Sequence, residues 1–263
     1  MIQPVCIDTA ALGLPGKIKG PLESFLRNWQ ERGYVLGGML VGSYACRLAN
    51  EFSDIDLYLI LDDSESERQR GDHVVNGLTI EYNADPVRYI RALQQTQFAA
   101  GKRHCARKVA TGKILFARDH TLNVLQAEAN ALMASPIKRS DATTAEMAKY
   151  YMWDQIDNLR AMHALGSPGF MYAYHCGVQN ILQHYAAFLG CEVLRPVRIH
   201  EFLTDPEFRR RYMIDGIPDD AFMDLAAQCI EDPSIERIEH LTAHVQGQMG
   251  GFELDGWTLR IAA

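Results

Sequence analysis

The run GGMLVGSYACRLANEFSDIDLYLILDD (37–63) limits what this chain can fold into more than any other stretch of it. Val35, Leu36, Met39, Leu40 and Val41 have the character of a buried strand that stops at Gly42. Ser43 is expected to cap the short segment YACRLA, leaving its first N–H groups pointing outward. Glycine at 42 would let an anion such as a phosphate approach the backbone with no Cβ in the way. Further on, Asp54 and Asp56 alternate with Ile55 and Leu57. In a strand the two acids then share one face while the two apolar side chains enter the core. Aspartate is disfavoured in strands, so two of them flanked by Ile, Leu and Tyr need a reason. Two carboxylates on one face, opposite a phosphate cradle, suit divalent cations held against a nucleoside triphosphate.

A third acid comes from GDHVVNGLTIEYNADP (71–86). Asn76-Gly77 between two apolar runs signals a hairpin, and its returning strand, 78–82, carries Glu81 between Ile80 and Tyr82. Asp62, Asp63, Asp72 and Asp85 compete with Glu81, but they sit in loop-like sequence where a solvated or capping carboxylate is expected.

An apolar strand, Gly42-Ser43, a spacer and Asp54-Ile55-Asp56-Leu57, in that order, resemble the signature of the nucleotidyltransferase superfamily, the polymerase-beta-like fold. The likeness covers residues 35–83. It implies that Glu81 completes a triad with Asp54 and Asp56. Glutamate there looks more like the antibiotic-modifying adenylyltransferases. The resemblance further implies two Mg²⁺ ions bridged by Asp54 and Asp56, with Glu81 as ligand, general base or both. Ser43 and neighbouring N–H groups, beside Gly42, would hold the β- and γ-phosphates. The implied reaction moves a nucleoside monophosphate, AMP being the expected one, from an NTP to a hydroxyl of a small acceptor and releases pyrophosphate. Two alternatives stand beside it: the same transfer onto a protein or RNA, as in toxin–antitoxin pairs, and a non-catalytic nucleotide-binding module.

Composition narrows the partners. The net charge is −7, whereas a protein that neutralises many phosphates of a long nucleic acid carries a basic face. Lys102, Arg103, Arg107 and Lys108 make the one local basic cluster, read first as a solvated helix face and second as a source of one or two cations for a triphosphate. No apolar run reaches the roughly 18–20 residues of a membrane span, and the first residues lack a signal-peptide pattern. Six scattered cysteines without a Cys-x-x-Cys pair favour reduced thiols in a cytoplasm over structural zinc, and the family resemblance implies a bacterial enzyme. Cys46 reads as core packing, and His240 and His244, four apart, as core or surface residues.

The fold class expected is α+β, with a catalytic domain at 1–138 and a helical acceptor-binding domain at 139–263. In the first part, 21–33 reads as a helix with Phe25, Leu26 and Trp29 on one face. Asp85-Pro86 reads as the start of another, a helix ends at Gly112, Ile114–Ala117 is a strand, and 120–135 is helical. The polar stretch 135–144 is the linker. The second part reads as helices at 141–165, 167–191, 198–213, 218–230 and 233–247, then a strand or tail at 252–260. A cleft between the halves is the expected acceptor pocket. Trp153, Asp157 and Arg160 share a helical face that would suit a cationic acceptor, and Lys149 on the same helix is a candidate for the triphosphate.

Overall fold

The computed structural model describes Val5 and residues 7–260; Cys6 lies outside them. The chain divides into two compact units. One runs to Ser135 and takes in Arg211–Met213; the other comprises Pro136–Arg210 and the chain from Ile214. The architecture is α+β: a five-stranded mixed sheet flanked by helices in the first unit, and helices alone in the second.

The first unit opens with α1 (Thr9–Leu12) and α2 (Lys19–Gln30), then β1 (Val35–Leu40), α3 (Gly42–Ala45), β2 (Ile55–Leu61), β3 (Gln69–Val75) and β4 (Leu78–Pro86). It continues with α4 (Val87–Ala99), α5 (His104–Thr111), β5 (Lys113–Ala117) and α6 (Thr121–Ala134). The strand order is β3-β4-β2-β1-β5. β1 pairs antiparallel with β2 and β5, β4 antiparallel with β3, and β2 parallel with β4. Asn76 and Gly77 take positive φ of 53° and 72°, the two-residue hairpin turn that the Asn-Gly pair predicts.

Alternation along the central strands separates two cores. Ile55, Leu57, Leu59 and Leu61 of β2 pack with Leu22, Leu26 and Trp29 of α2. Spaced by four and three residues, those α2 positions form one apolar stripe. Tyr82 of β4 points to this side, its ring 5.5 Å from Phe25 and 5.3 Å from Trp29, and lies against Gly71 of the neighbouring strand. On the other side Tyr58 and Ile60 pack with Met39, Val41, Ile90, Cys105, Val109 and Leu125. The carboxylate-bearing positions of β2 and β4 belong to this second face.

The second unit holds α7 (Ala142–Ala164), α8 (Phe170–Leu189), α9 (Ile199–Thr204), α10 (Pro206–Tyr212) up to Arg210, α11 (Asp220–Glu231) and α12 (Ile235–Gln248). Met152, Ile156, Tyr174, Ile181, Tyr185, Phe202, Phe222, Ile238 and Leu241 are buried in it. The single helix expected over 198–213 is two helices. Pro206 has no N–H for the ladder, and the Asp205 carboxylate accepts from the Glu207 and Phe208 amides to start α10 afresh. Residues 252–260 form no strand; Trp257 stacks on Tyr150 with centroids 4.6 Å apart. Asp85 is a second correction. It lies within β4 instead of capping α4, whose first turn is capped by Asp63 Oδ1 accepting from the Arg88 amide at 2.7 Å. Among the described residues Cys46, Cys105, Cys176, Cys191 and Cys229 are free thiols, and no helix is long and apolar enough to cross a membrane.

Candidate active site

The parallel pairing of β2 and β4 sets Asp56 opposite Glu81. Asp54 immediately precedes β2, two residues from Asp56, and reaches the same face. One ligand oxygen from each of Asp54, Asp56 and Glu81 lies within 4.8 Å of the other two, and all three residues are half-buried. Three anionic groups at this spacing repel one another unless a cation sits among them. A magnesium ion with oxygens at about 2.1 Å places opposed ligands about 4.2 Å apart. The observed spacing therefore closes with small torsional adjustments. Arg70 of β3 approaches Glu81 at 3.4 Å, an exposed pair that a bound cation would replace.

Gly42 is shaped by this cluster. Its φ is +66°, and a Cβ built there would lie 2.0 Å from Asp56 Oδ2 and 2.7 Å from its Cγ. The space that the sequence suggested for a phosphate is taken by the Asp56 carboxylate. The glycine is needed because the acid rests against its α-carbon. The turn is tied to β2 by the Val41 amide, which donates to Asp56 O at 2.9 Å. Ser43 is not the cap of α3. Val41 holds that position without a side-chain bond, and Ser43 lies inside the turn. Its Oγ is buried with no hydrogen-bond partner, a costly state for a hydroxyl and one that a ligand oxygen would relieve.

The same face continues past the acids as a polar seam. Tyr58 follows Asp56 by two residues and is fully buried; its hydroxyl donates to Asp85 Oδ2 at 2.9 Å. Arg68 holds the other oxygen of Asp85 at 2.6 Å and lies over the Tyr89 ring. Asp85 is thus neither solvated nor a cap, but the anchor of a buried pair. Burial, with the Asp85 charge alongside, raises the Tyr58 hydroxyl far above its ordinary pKa. Burial also pushes the Cys105 thiol up to about 11, so neither group ionises near neutrality. Lys108 lies over the Tyr58 ring, its Nζ 3.8 Å from the centroid. Burial lowers its pKa, opposed by the charges of Asp85, Asp56 and Glu81.

The other expected positions fall elsewhere. Asp72 is exposed on β3, and Asp62 and Asp63 accept backbone amides just beyond β2. The basic cluster is not a uniformly solvated helix face: Arg107 is buried, Arg103 and Lys108 are half-buried, and Lys102 alone is exposed. In the second unit Lys149 is 5% exposed, donates to Gly251 O at 2.9 Å and pairs with Glu146, so its ammonium is already satisfied there. Trp153 stacks near Tyr150, Asp157 is exposed, and Arg160 pairs with Glu239 at 2.5 Å. His244 bonds Asp219 at 2.8 Å, and His240 is exposed. Sequence reasoning had missed the inward aim of Lys108 and the Tyr58–Asp85–Arg68 anchor. Helical spacing carries a signal for the first, since Lys108 falls three residues after buried Cys105.

No family model matches the chain, and no curated protein matches it. Among solved structures it is similar to a nucleotidyltransferase-like protein from Exiguobacterium sibiricum 255-15, at 12% identity and a TM-score of 0.43, over 86% of this chain and 72% of that one.

Proposed function

We propose that the first unit transfers a nucleoside monophosphate from a nucleoside triphosphate to a hydroxyl of a small acceptor, releasing pyrophosphate. The observation that carries this reading is the convergence of Asp54, Asp56 and Glu81 within 4.8 Å beside the Gly42-Ser43 turn. The donor set is all carboxylate oxygen, which suits magnesium or manganese better than zinc or copper. Asp54 and Asp56 would hold two such ions, with Glu81 serving one of them. Bound there, magnesium supplies Lewis-acid charge to the phosphates and a lowered pKa to an acceptor hydroxyl.

The chain's own residues supply the rest. Glu81 would receive the proton that leaves the acceptor hydroxyl as its oxygen attacks the α-phosphorus, whether or not it also binds an ion. The unpartnered Ser43 Oγ can donate to a phosphate oxygen, helped by the amides of its turn. Gly42 keeps the Asp56 carboxylate close to the turn, so metal and phosphate positions are set by one piece of backbone. The acidic balance of the chain favours a small acceptor over a nucleic acid.

The test is transfer of label from α-³²P ATP, GTP, CTP or UTP to a panel of hydroxylated acceptors, with magnesium and with chelator. Asp56→Asn should keep its fold by circular dichroism and lose transfer by several orders of magnitude, the scale of a metal's contribution to such a step. Turnover by Asp56→Asn at the wild-type rate would defeat the proposal.

A further inference from the structure

We propose that Lys108 of α5 is a ligand for the polyphosphate chain, its ammonium binding a non-bridging phosphate oxygen beside the carboxylate triad. The inference rests on the nucleotidyl-transfer reading and assigns one more residue to the same site. Three observations on α5 carry it. First, the helix is fastened on both sides of the site. Thr111, near its C-terminus, donates its hydroxyl to Arg107 O at 2.8 Å and lies beside Cys46, which follows the Gly42–Ala45 turn, and Lys108 lies on Tyr58 of β2. Second, Lys108 looks along the acid-bearing face. Tyr58 is two residues from Asp56 on β2, and Asp56 and Glu81 are among the charges it senses.

Third, the ammonium has nothing to donate to. Among the described residues no carboxylate or carbonyl lies within ion-pair or hydrogen-bond distance of Lys108 Nζ, and its contact is with a ring face. An ammonium has three donors, and one held out of much of its water without an acceptor is unfavourable unless an anion arrives. The other basic side chains of this stretch differ. Lys102 is exposed, and Arg103 donates to Ser135 O. The Tyr58 ring fixes the lysine stem, and Asp85 with Arg68 fixes the Tyr58 hydroxyl, so the cation is held in place before any ligand binds. A phosphoryl group meeting Lys108 through one oxygen and the carboxylate-bound cations through another would have its negative charge balanced from both sides.

The experiment is calorimetric binding of inorganic tripolyphosphate to the full chain in chelator, so that no metal contributes. Wild type should bind. Lys108→Met, which keeps the stem over Tyr58, should bind about tenfold or more weakly, the loss of one charge-assisted bond. Lys108→Arg should recover most of the affinity, and Lys102→Gln should match wild type. Asp56→Asn should bind tripolyphosphate at least as tightly as wild type, because it removes a nearby negative charge. Equal affinity of folded Lys108→Met and wild type would overturn the assignment, and so would absence of binding to wild type. The two proposals fail separately. Lys108-dependent binding without nucleotide transfer would leave the anion site standing and remove the enzyme; transfer with Lys108-independent binding would do the reverse.

Discussion

Replacing Gly42 by alanine separates what backbone conformation costs from what the carboxylate cluster needs. The residue has φ +66°, and its new Cβ would sit 2.0 Å from Asp56 Oδ2. Gly77 offers the matched control: φ is +72°, and nothing lies within 4 Å of its Cβ position. Gly77→Ala should therefore lose about 1–2 kcal/mol, the cost of left-handed backbone in a residue with a side chain, and nothing more. Gly42→Ala bears the same conformational cost and an overlap besides. Ordinary contact begins near 3.4 Å, so the carboxylate must retreat by roughly 1.4 Å. That is a large fraction of a metal–oxygen bond of about 2.1 Å, and it removes Asp56 as a ligand. Calorimetric titration with Mn²⁺, in the absence of nucleotide, should show Gly77→Ala at wild-type affinity. Gly42→Ala should bind at least about tenfold more weakly, with its fold verified by circular dichroism. Equal Mn²⁺ affinity in the two variants would refute the argument that the glycine exists to admit Asp56.

Two further outcomes can be measured. Ser43→Ala removes a hydroxyl that is buried without a partner, so its unfolding free energy from urea titration should stay within about 0.5 kcal/mol of wild type or rise, while KM for the nucleotide rises. Asp219 gives the second unit a defined acid response. Burial opposes its ionisation, but bonds from Tyr185, His244 and the Phe222 amide outweigh that and hold its pKa below the usual 3.8. A carboxyl depressed in the folded state contributes stability that is present above its unfolded pKa and lost as pH falls through the folded one. Thermal melts of wild type should thus weaken as pH drops below about 4, and Asp219→Asn should start lower and show a shallower acid limb. An unchanged acid limb would show that these bonds do not favour the ionised form.

The sequence announced the sheet through its exceptions. Aspartates 54 and 56 in an apolar run and an Asn-Gly turn are local choices that kept their meaning in the fold, whereas the glycine ending the neighbouring strand makes room for Asp56 and not for a phosphate. Glu81 could be read because alternation with Ile80 and Tyr82 assigns its face before any partner is known. What stayed hidden depends on residues distant in sequence. Asp85 looked like a cap because it precedes Pro86; its partners Tyr58 and Arg68 lie 27 and 17 residues away. Lys108 was read by charge rather than by helical register, which alone tells an inward lysine from a solvated one. Ser43 reads as a cap because serine favours that place; the turn begins two residues earlier than its type suggests, with Val41 at the cap. Lys149 shows the converse. A lysine on an amphipathic helix looked available, and a backbone carbonyl 102 residues later in the chain takes its ammonium.

Tyr82 has a consequence for how the chain could evolve. Wedged against Phe25, Trp29 and Gly71 on one surface of the sheet, it works as a detent for the strand that carries Glu81 on the opposite surface. Inserting one residue between the hairpin and position 81 would swap the two, driving an acid into the oily layer and an aromatic ring among the carboxylates. Length in that short stretch is therefore policed by packing far from the chemistry, and changes there should be tolerated only in pairs.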